Sequence, residues 1–331
     1  MRNARRKGKT TIIILITILV LAAFCIAAFY NGLVVKKYVV GTDKFGAGAS
    51  VRVVLLADLH SHIYGGDQAP LISKIIDQHP DLILLAGDIA DDQVPIDGAL
   101  LLLEGIGGAA PVFFVSGNHE YWSGDIRGIK AAFRGYGVTV LEDECREIAI
   151  NGVPLVIAGM DDPEWTRYEI KVSENPMDAV FKGLSSNNNY KILVAHRPEL
   201  IESYKKYTFD LVVSGHAHGG QVRIPFFLNG LIAPNQGVFP KYAGGLYRHD
   251  GAGGLGDDSL EDDSLGVGGP GDGGRGGPGV SDGGLGGQGD GGSGDGGLIH
   301  VVSRGLSFNP RLPRVFNPPE IVVIDIEGEA S

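Results

Sequence analysis

Cysteine is nearly absent from this chain of 331 residues, which holds only two. Cys25 lies in an apolar N-terminal run and Cys145 lies far downstream, so no spaced pairs exist from which a disulfide framework or a zinc ribbon is built. A lone cysteine is more often a small core residue than a nucleophile. Also missing is a basic stripe with interleaved aromatics, so no nucleic-acid partner is expected. The net charge is −11, but it is unevenly spread. Arg2, Arg5, Arg6, Lys7 and Lys9 make the first ten residues basic, whereas the glycine-rich stretch from Gly251 to Gly297 carries most of the acidic excess. The remainder is close to neutral and, at 44% hydrophobic overall, the chain is ample for a large α/β domain.

Charge is missing altogether from Thr10 to Tyr30. A run of about 20 apolar residues matches the hydrocarbon core of a bilayer. With basic residues directly before it, the positive-inside rule places the N-terminus in the cytoplasm and the rest of the chain outside. A cleaved signal peptide would carry a shorter apolar region, roughly 7–15 residues, and a small-x-small site after it. A lipoprotein reading of Cys25 meets the bulky Phe24, and Arg5-Arg6 alone makes no twin-arginine signal. The expectation is an uncleaved, single-pass anchor in the cell membrane. Residues 1–9 form a cytoplasmic basic segment, 10–30 the anchor, 31–50 a tether, and 51–326 one extracytoplasmic domain.

That domain opens with "VRVVLLA" at Val51. Further apolar, β-branched runs start at Leu82, Val112, Val153, Lys191, Asp210 and Ile321, as suits strands buried on both faces. Helical patterns lie between them: "PLISKIIDQH" from Pro70, "DIRGIKAAFRGYG" with Asp125 as N-cap, and "PELIESYKKY" with Pro198 in the first turn. Alternating strands and helices predict a layered α/β fold. The stretch 251–297, about half glycine and without aromatics, is expected to be disordered. Its Asp spacing holds no nine-residue calcium-binding period. It separates "GGLYRHD" from "LIHVVSRGL", which read as two strands of one hairpin.

The chemistry sits where the apolar runs stop. Asp58 and His60 follow the first, Asp88 the second, Asn118 and His119 the third, His196 the next, and His216 with His218 the one after. Any one of these alone reads as a turn former or a helix cap. Five successive strands delivering Asp, Asn or His to the same end do not. In open α/β sheets that edge binds ligands. His nitrogen and Asp oxygen without Cys suit first-row divalent ions. Residues at i and i+2 share a face, so Asp58 with His60, and His216 with His218, can present paired ligands. Two divalent ions against only two carboxylates leave a positive site, fitted to a phosphate. Metals roughly 3.5–4 Å apart clamp both oxygens of an in-line phosphoryl displacement. Gly215, Gly219 and Gly220 are expected to let backbone and substrate approach closely.

The ordered set "DLH … GD … GNHE … H … GHAH" resembles the calcineurin-like metallophosphoesterase family. "GHAHGGQ" behind an apolar N-terminal segment resembles its membrane-anchored bacterial branch, as do "SRGL" at Ser303 and "NPPEIVVIDI" at Asn317. The resemblance covers about Val51 to Ile326, apart from the glycine-rich insert. It implies a four-layer α/β/β/α sandwich and two divalent metal ions, Mn²⁺ first, with Fe, Zn, Co or Ni as alternatives. It implies that Asp58, His60 and His218 hold one metal, that Asn118, His196 and His216 hold the other, and that Asp88 bridges. A hydroxide between the metals then attacks phosphorus, and His119 protonates the leaving oxygen or stabilises its charge.

Other residues have two readings each. Arg197 contacts phosphate or forms a structural salt bridge. Tyr121 and Trp122 wall the pocket or pack in the core, and Asp161 and Asp162 end a strand near the site or form a turn. His62 supports the ligands or is exposed. The function expected is hydrolysis of a phosphodiester or pyrophosphate, with a lipid-linked substrate suggested by the anchor. The alternatives are a phosphomonoesterase acting on phosphoproteins or nucleotides, and a non-catalytic surface module with structural metals. Oligomeric state is left open.

Overall fold

The structure is a computed structural model that describes residues 2–164, 176–249, 259–260, 297–308 and 312–329. Helix α1 (Arg2–Ala28) contains the apolar segment, and its stretch Lys9–Ala28 is long and apolar enough to cross a membrane. Fifteen strands follow among the described residues: β1 (Val34–Thr42), β2 (Ser50–Leu56), β3 (Leu82–Ala86), β4 (Val112–Val115), β5 (Thr139–Val140), β6 (Glu144–Ile150), β7 (Val153–Met160), β8 (Tyr190–Ala195), β9 (Leu211–Ser214), β10 (Ile232–Ala233), β11 (Gly237–Val238), β12 (Gly245–His249), β13 (Ser259–Leu260), β14 (Leu298–Val302) and β15 (Glu320–Gly328).

These strands make two large sheets. The first has the order β1-β15-β2-β3-β4-β5 and the second β13-β12-β14-β9-β8-β7-β6. Strands β2 to β5 run parallel in one sheet, and β7, β8, β9 and β14 run parallel in the other. The central parallel strands β2, β3, β4, β7, β8 and β9 are mainly apolar because both of their faces are covered. One face of each sheet forms the central core, where Val53, Leu55, Leu84 and Val115 meet Leu155, Ile157, Ile192 and Val213. The outer face of the first sheet packs on helices α2 (Ala69–Ile76), α3 (Asp97–Ile106) and α5 (Ile126–Gly135), through Leu71, Ile75, Leu102, Ile106, Ile129 and Phe133. The outer face of the second packs on α6 (Pro176–Phe181) and α7 (Ile201–Tyr204), through Phe181, Ile201 and Tyr204. Helix, sheet, sheet and helix are thus the four layers expected. Between α3 and α5 sits the five-residue helix α4 (Asn118–Trp122).

Local signals held in several places. Asp125 caps α5, accepting from the Gly128 N–H at 3.1 Å. Strands β12 and β14 pair as one hairpin, with His249 opposite Leu298. Apart from Ser259–Leu260, which pairs with Tyr247 and Arg248, and Gly297 at its end, the expected disordered stretch lies outside the described residues. Two expectations are corrected. The stretch 31–50 is not a free tether: Val34–Thr42 is an edge strand paired in parallel with Glu320–Gly328. Tyr38, Val40 and Thr42 turn inward and alternate with exposed neighbours, the pattern of a strand covered on one face. The stretch from Pro198 does not make one long helix. It divides into a 3-10 turn over Pro198–Leu200 and the single turn of α7.

Candidate metal centre

Strands β2, β3 and β4 of the first sheet and β8 and β9 of the second end at a common edge. Just past those ends lie Asp58, His60, Asp88, Asn118, His196, His216 and His218. Five of these seven leave their strands through the left-handed region, with φ of 52° at Asp58, 48° at His60, 53° at Asp88, 67° at His216 and 48° at His218. Such conformations cost a non-glycine residue about 1–3 kcal/mol each and persist where the surroundings impose them, which is common at functional sites.

The side chains converge in two groups. Ligand atoms of Asp58, His60 and His218 lie within 4.8 Å of one another, and so do those of Asp88, His196 and His216. Asp88 Oδ2 stands 3.7 Å from His60 Nε2 and 3.1 Å from His196 Nε2, so one carboxylate reaches both groups. Asn118 Oδ1 is buried without a protein partner. His119 lies beside both groups, and its ligand atom also clusters with those of His60 and Asp88 and with those of Asp91 and Asp92.

Outer partners fix which ring nitrogen is free. His196 donates from Nδ1 to the Ala86 carbonyl at 2.8 Å, which turns Nε2 toward Asp88 Oδ2 at 3.1 Å. His216 donates from Nε2 to Asn235 Oδ1 at 2.9 Å, which leaves Nδ1. His216 Nδ1 and His196 Nε2 stand 3.1 Å apart. His60 holds Asp91 through Nδ1 at 2.9 Å and turns Nε2 toward His218 Nε2 at 3.4 Å. Paired imidazoles facing each other nitrogen to nitrogen, beside two buried carboxylates, are an arrangement that takes a cation. The donor set of nitrogen and carboxylate oxygen suits a first-row divalent ion, and ligating histidines held from behind by carboxylate or carbonyl are the usual support of such sites.

Electrostatics agree. Burial raises the Asp58 carboxyl. Burial works on Asp88 in the same way, but His196, His60 and His119 together outweigh it and hold that carboxyl well below its ordinary range, while Asp88 in turn raises His196 to about 10 against its own burial. Burial drives His216 down to about 3, and it drives His218 well below the usual imidazole value, so both stay neutral. Against its own burial, His119 is raised to about 9 by its hydrogen bond to Asp91 and by Asp88 and Asp92. Its Nδ1 lies 2.6 Å from Asp92 Oδ1, and its ring meets Trp122 at a centroid distance of 4.8 Å.

The glycines serve the fold rather than a ligand. A Cβ on Gly215 would sit 2.6 Å from Ala57 Cβ and 2.8 Å from Asp58 Oδ2, and one on Gly117 2.2 Å from Asp88 Oδ1. Gly219 and Gly220, at φ 63° and 64°, form the tight turn, and the space beside them is filled by Asn317 and Gly230. The expected room for a substrate is therefore not beside these residues. Of the two readings of Arg197, the geometry favours the salt bridge. Its Nε lies 2.7 Å from Asp162 Oδ2 and its Nη2 lies 3.2 Å from Glu164 Oε1. Asp161 is likewise held, by Lys130 at 2.5 Å and by the Tyr121 hydroxyl at 3.2 Å. His62 is half-buried against Tyr64 and Phe308, away from both groups.

Three supporting residues escaped the sequence. Glu120 accepts from the N–H groups of Asp88, Ala90 and Gly117, all within 2.9 Å, and so ties the ends of β3 and β4 together. Asp91 backs His60. Asn235 backs His216 from the far tip of the β10–β11 turn, and no local pattern marks it. The neighbouring "GDIADD" and "GNHE" carried a signal for the other two.

A model of the calcineurin-like phosphoesterases matches residues 51–220, about half of the chain. An uncharacterised metallophosphoesterase of Helicobacter pylori is 30% identical over 256 residues, covering 75% of this chain and 64% of that one. One from Aquifex aeolicus is 31% identical over 189 residues, covering 56% of this chain and 70% of the relative. A transmembrane protein with a metallophosphoesterase domain from Bos taurus is 26% identical, covering 52% of this chain and 41% of that protein. This chain thus spans less than two thirds of the Helicobacter pylori relative it matches. The matched family, the ordered strand ends and the two candidate ligand groups lead to one conclusion: the chain belongs to the calcineurin-like metallophosphoesterases.

Proposed function

We propose that this protein is a membrane-anchored phosphoesterase that hydrolyses a lipid-linked phosphodiester or pyrophosphate at the extracytoplasmic face, with two divalent ions. The observation that carries the reading is the shared reach of Asp88 Oδ2 to His60 and His196. In this reading Asp58, His60 and His218 hold one ion, Asn118, His196 and His216 hold the second, and Asp88 touches both. The ions, Mn²⁺ first among the candidates, supply Lewis-acid stabilisation of the phosphoryl oxygens and a nucleophile for in-line displacement. Asp91, Ala86 and Asn235 keep the three imidazoles behind them in fixed tautomers.

His119 carries the proton. Its Nδ1 is tied to Asp92, so Nε2 is the nitrogen left to donate to the departing oxygen. Trp122, tilted against that ring and 44% exposed, shields it from one side. Arg197 braces the loop through Asp162 and Glu164. Residues 1–9 stay in the cytoplasm, 10–30 form the anchor and the domain stands outside.

The test uses the full chain in detergent micelles, loaded in turn with Mn²⁺, Fe²⁺, Zn²⁺, Co²⁺ and Ni²⁺ and offered three substrates: bis-p-nitrophenyl phosphate, p-nitrophenyl phosphate and a polyprenyl pyrophosphate. Metal-dependent turnover of the diester or the pyrophosphate above the monoester is expected. A clear preference for the monoester overturns the substrate class and leaves the metal assignment standing.

A further inference from the structure

Half of the exposed large apolar side chains outside α1 and its exit fall in one short segment, Ile224 to Phe239, among the described residues. Phe227 is 87% exposed, Phe239 68% and Phe226 65%. Two turns display them. Ile224 and Leu228 exchange N–H···O bonds at 2.9 and 2.8 Å, which projects Phe226 and Phe227 from the tip. Leu231, Ile232, Val238 and Phe239 form the second, where Ile232 pairs with Val238 and the Phe239 N–H reaches the Leu231 carbonyl. Gly220 binds the turns together: it accepts from the Leu231 N–H at 2.9 Å, and Gly230 packs against it. A patch of this size on one segment marks a partner.

The place of the patch identifies that partner. Asn235, at the tip of the second turn, holds His216, so the segment is also a wall of the metal centre. The membrane-spanning helix ends at the same edge. Ala28 is buried there and accepts from the Phe316 N–H at 2.7 Å, and Phe24 meets the Phe316 ring at 5.3 Å. The next residue, Val315, exchanges backbone hydrogen bonds with Gln221 and Arg223, directly before the first turn. Strand β1 also starts at this edge, with Val34 opposite Glu320. The span Lys9–Ala28 has 20 residues. At 1.5 Å per residue it is about as long as the hydrocarbon core is thick, so Ala28 comes at the headgroup boundary and Phe24 about 6 Å inside it. A domain that touches Phe24 is pressed against the bilayer by this very edge.

We propose that Ile224–Phe239 is an interfacial docking element that seats the edge carrying the metal centre on the bilayer holding α1, with Phe226, Phe227 and Phe239 in the acyl–headgroup boundary. Aromatic and aliphatic side chains are the ones found at that depth. The ester bond of a lipid-linked substrate then stands at the level of the metal ligands without leaving its leaflet. This rests on the anchored reading above.

Reconstitution of the full chain in phosphatidylcholine vesicles with brominated acyl chains tests it. Phe24→Trp reports the anchor, and Phe227→Trp and Phe239→Trp report the two turns, each against the unsubstituted protein with its own two tryptophans. Quenching of both turn variants comparable to that of Phe24→Trp is expected, and either variant suffices if the other fails to fold. If Phe24→Trp is quenched and neither turn variant is, the anchor stands and the docking element is overturned. If Phe24→Trp is not quenched either, the anchored reading fails and takes this inference with it. Blue-shifted emission at the turns without quenching by bromine assigns the patch to a second copy of the chain and also overturns it.

Discussion

The two ends of the sheet sandwich are built by opposite rules. At the metal edge, strands leave through left-handed turns at Asp58, Asp88 and His216. The carboxylates of Asp58, Asp88 and Glu120 are buried there, and glycines lie against neighbouring side chains with no room for a methyl group. At the opposite edge, β6 and β7 are joined by the two-residue turn Asn151-Gly152, at φ 52° and 79°, the sequence that such hairpins favour. There too β12 and β14 open toward the insert at His249 and Leu298. The difference shows where the fold holds its strain. One edge concentrates cost and chemistry, and the other accepts inserted chain.

Lesions at the two edges should therefore differ in kind, and the largest effect is at the shared carboxylate. Asp88→Asn is expected to empty both metal positions and bring turnover to background; full two-metal occupancy by elemental analysis would remove its bridging role. His119→Ala should retain both metals and lose roughly 10²–10⁴-fold in turnover on bis-p-nitrophenyl phosphate, the usual worth of a positioned acid. Loss of one metal in that variant would reassign His119 as a ligand, as its cluster with His60 and Asp88 allows. Asn235→Ala removes only the support of His216, and metal affinity should fall by roughly 10–100-fold as a second-sphere lesion does; competition with a chelator measures it. Smallest is the change at the far edge. Because His249 pairs directly with Leu298, replacing 250–297 with Asn-Gly should close a short hairpin and leave kcat and KM unchanged. A loss of activity there would mean that the edges are not independent.

Much of the metal edge was legible because β2, β3, β4, β8 and β9 are mainly apolar runs, each followed closely by a candidate ligand. Asp58, Asp88, Asn118, His196 and His216 could be found by where hydrophobicity ended. What the sequence did not disclose depends on contacts distant along the chain. The strand β1 is recognisable only through its pairing with Glu320–Gly328, nearly the whole chain away. Asn235 becomes a partner of His216 only when the β10–β11 turn folds back. Gly215 read as space for a ligand because a glycine in a sequence does not show what stands beside it; here that is Asp58. Arg197 offered no way to choose between phosphate and carboxylate until Asp162 was placed 2.7 Å away.

The position of the His249–Leu298 pair has a practical use. It lies at the ends of β12 and β14 remote from Ser214, beside which Val302 ends and the candidate ligands begin. A fluorescent module or an epitope spliced between these two residues would ride on the face turned away from the ligands. It would serve as a reporter of how the domain is oriented, and its height above a supported bilayer could be read optically while the enzyme works.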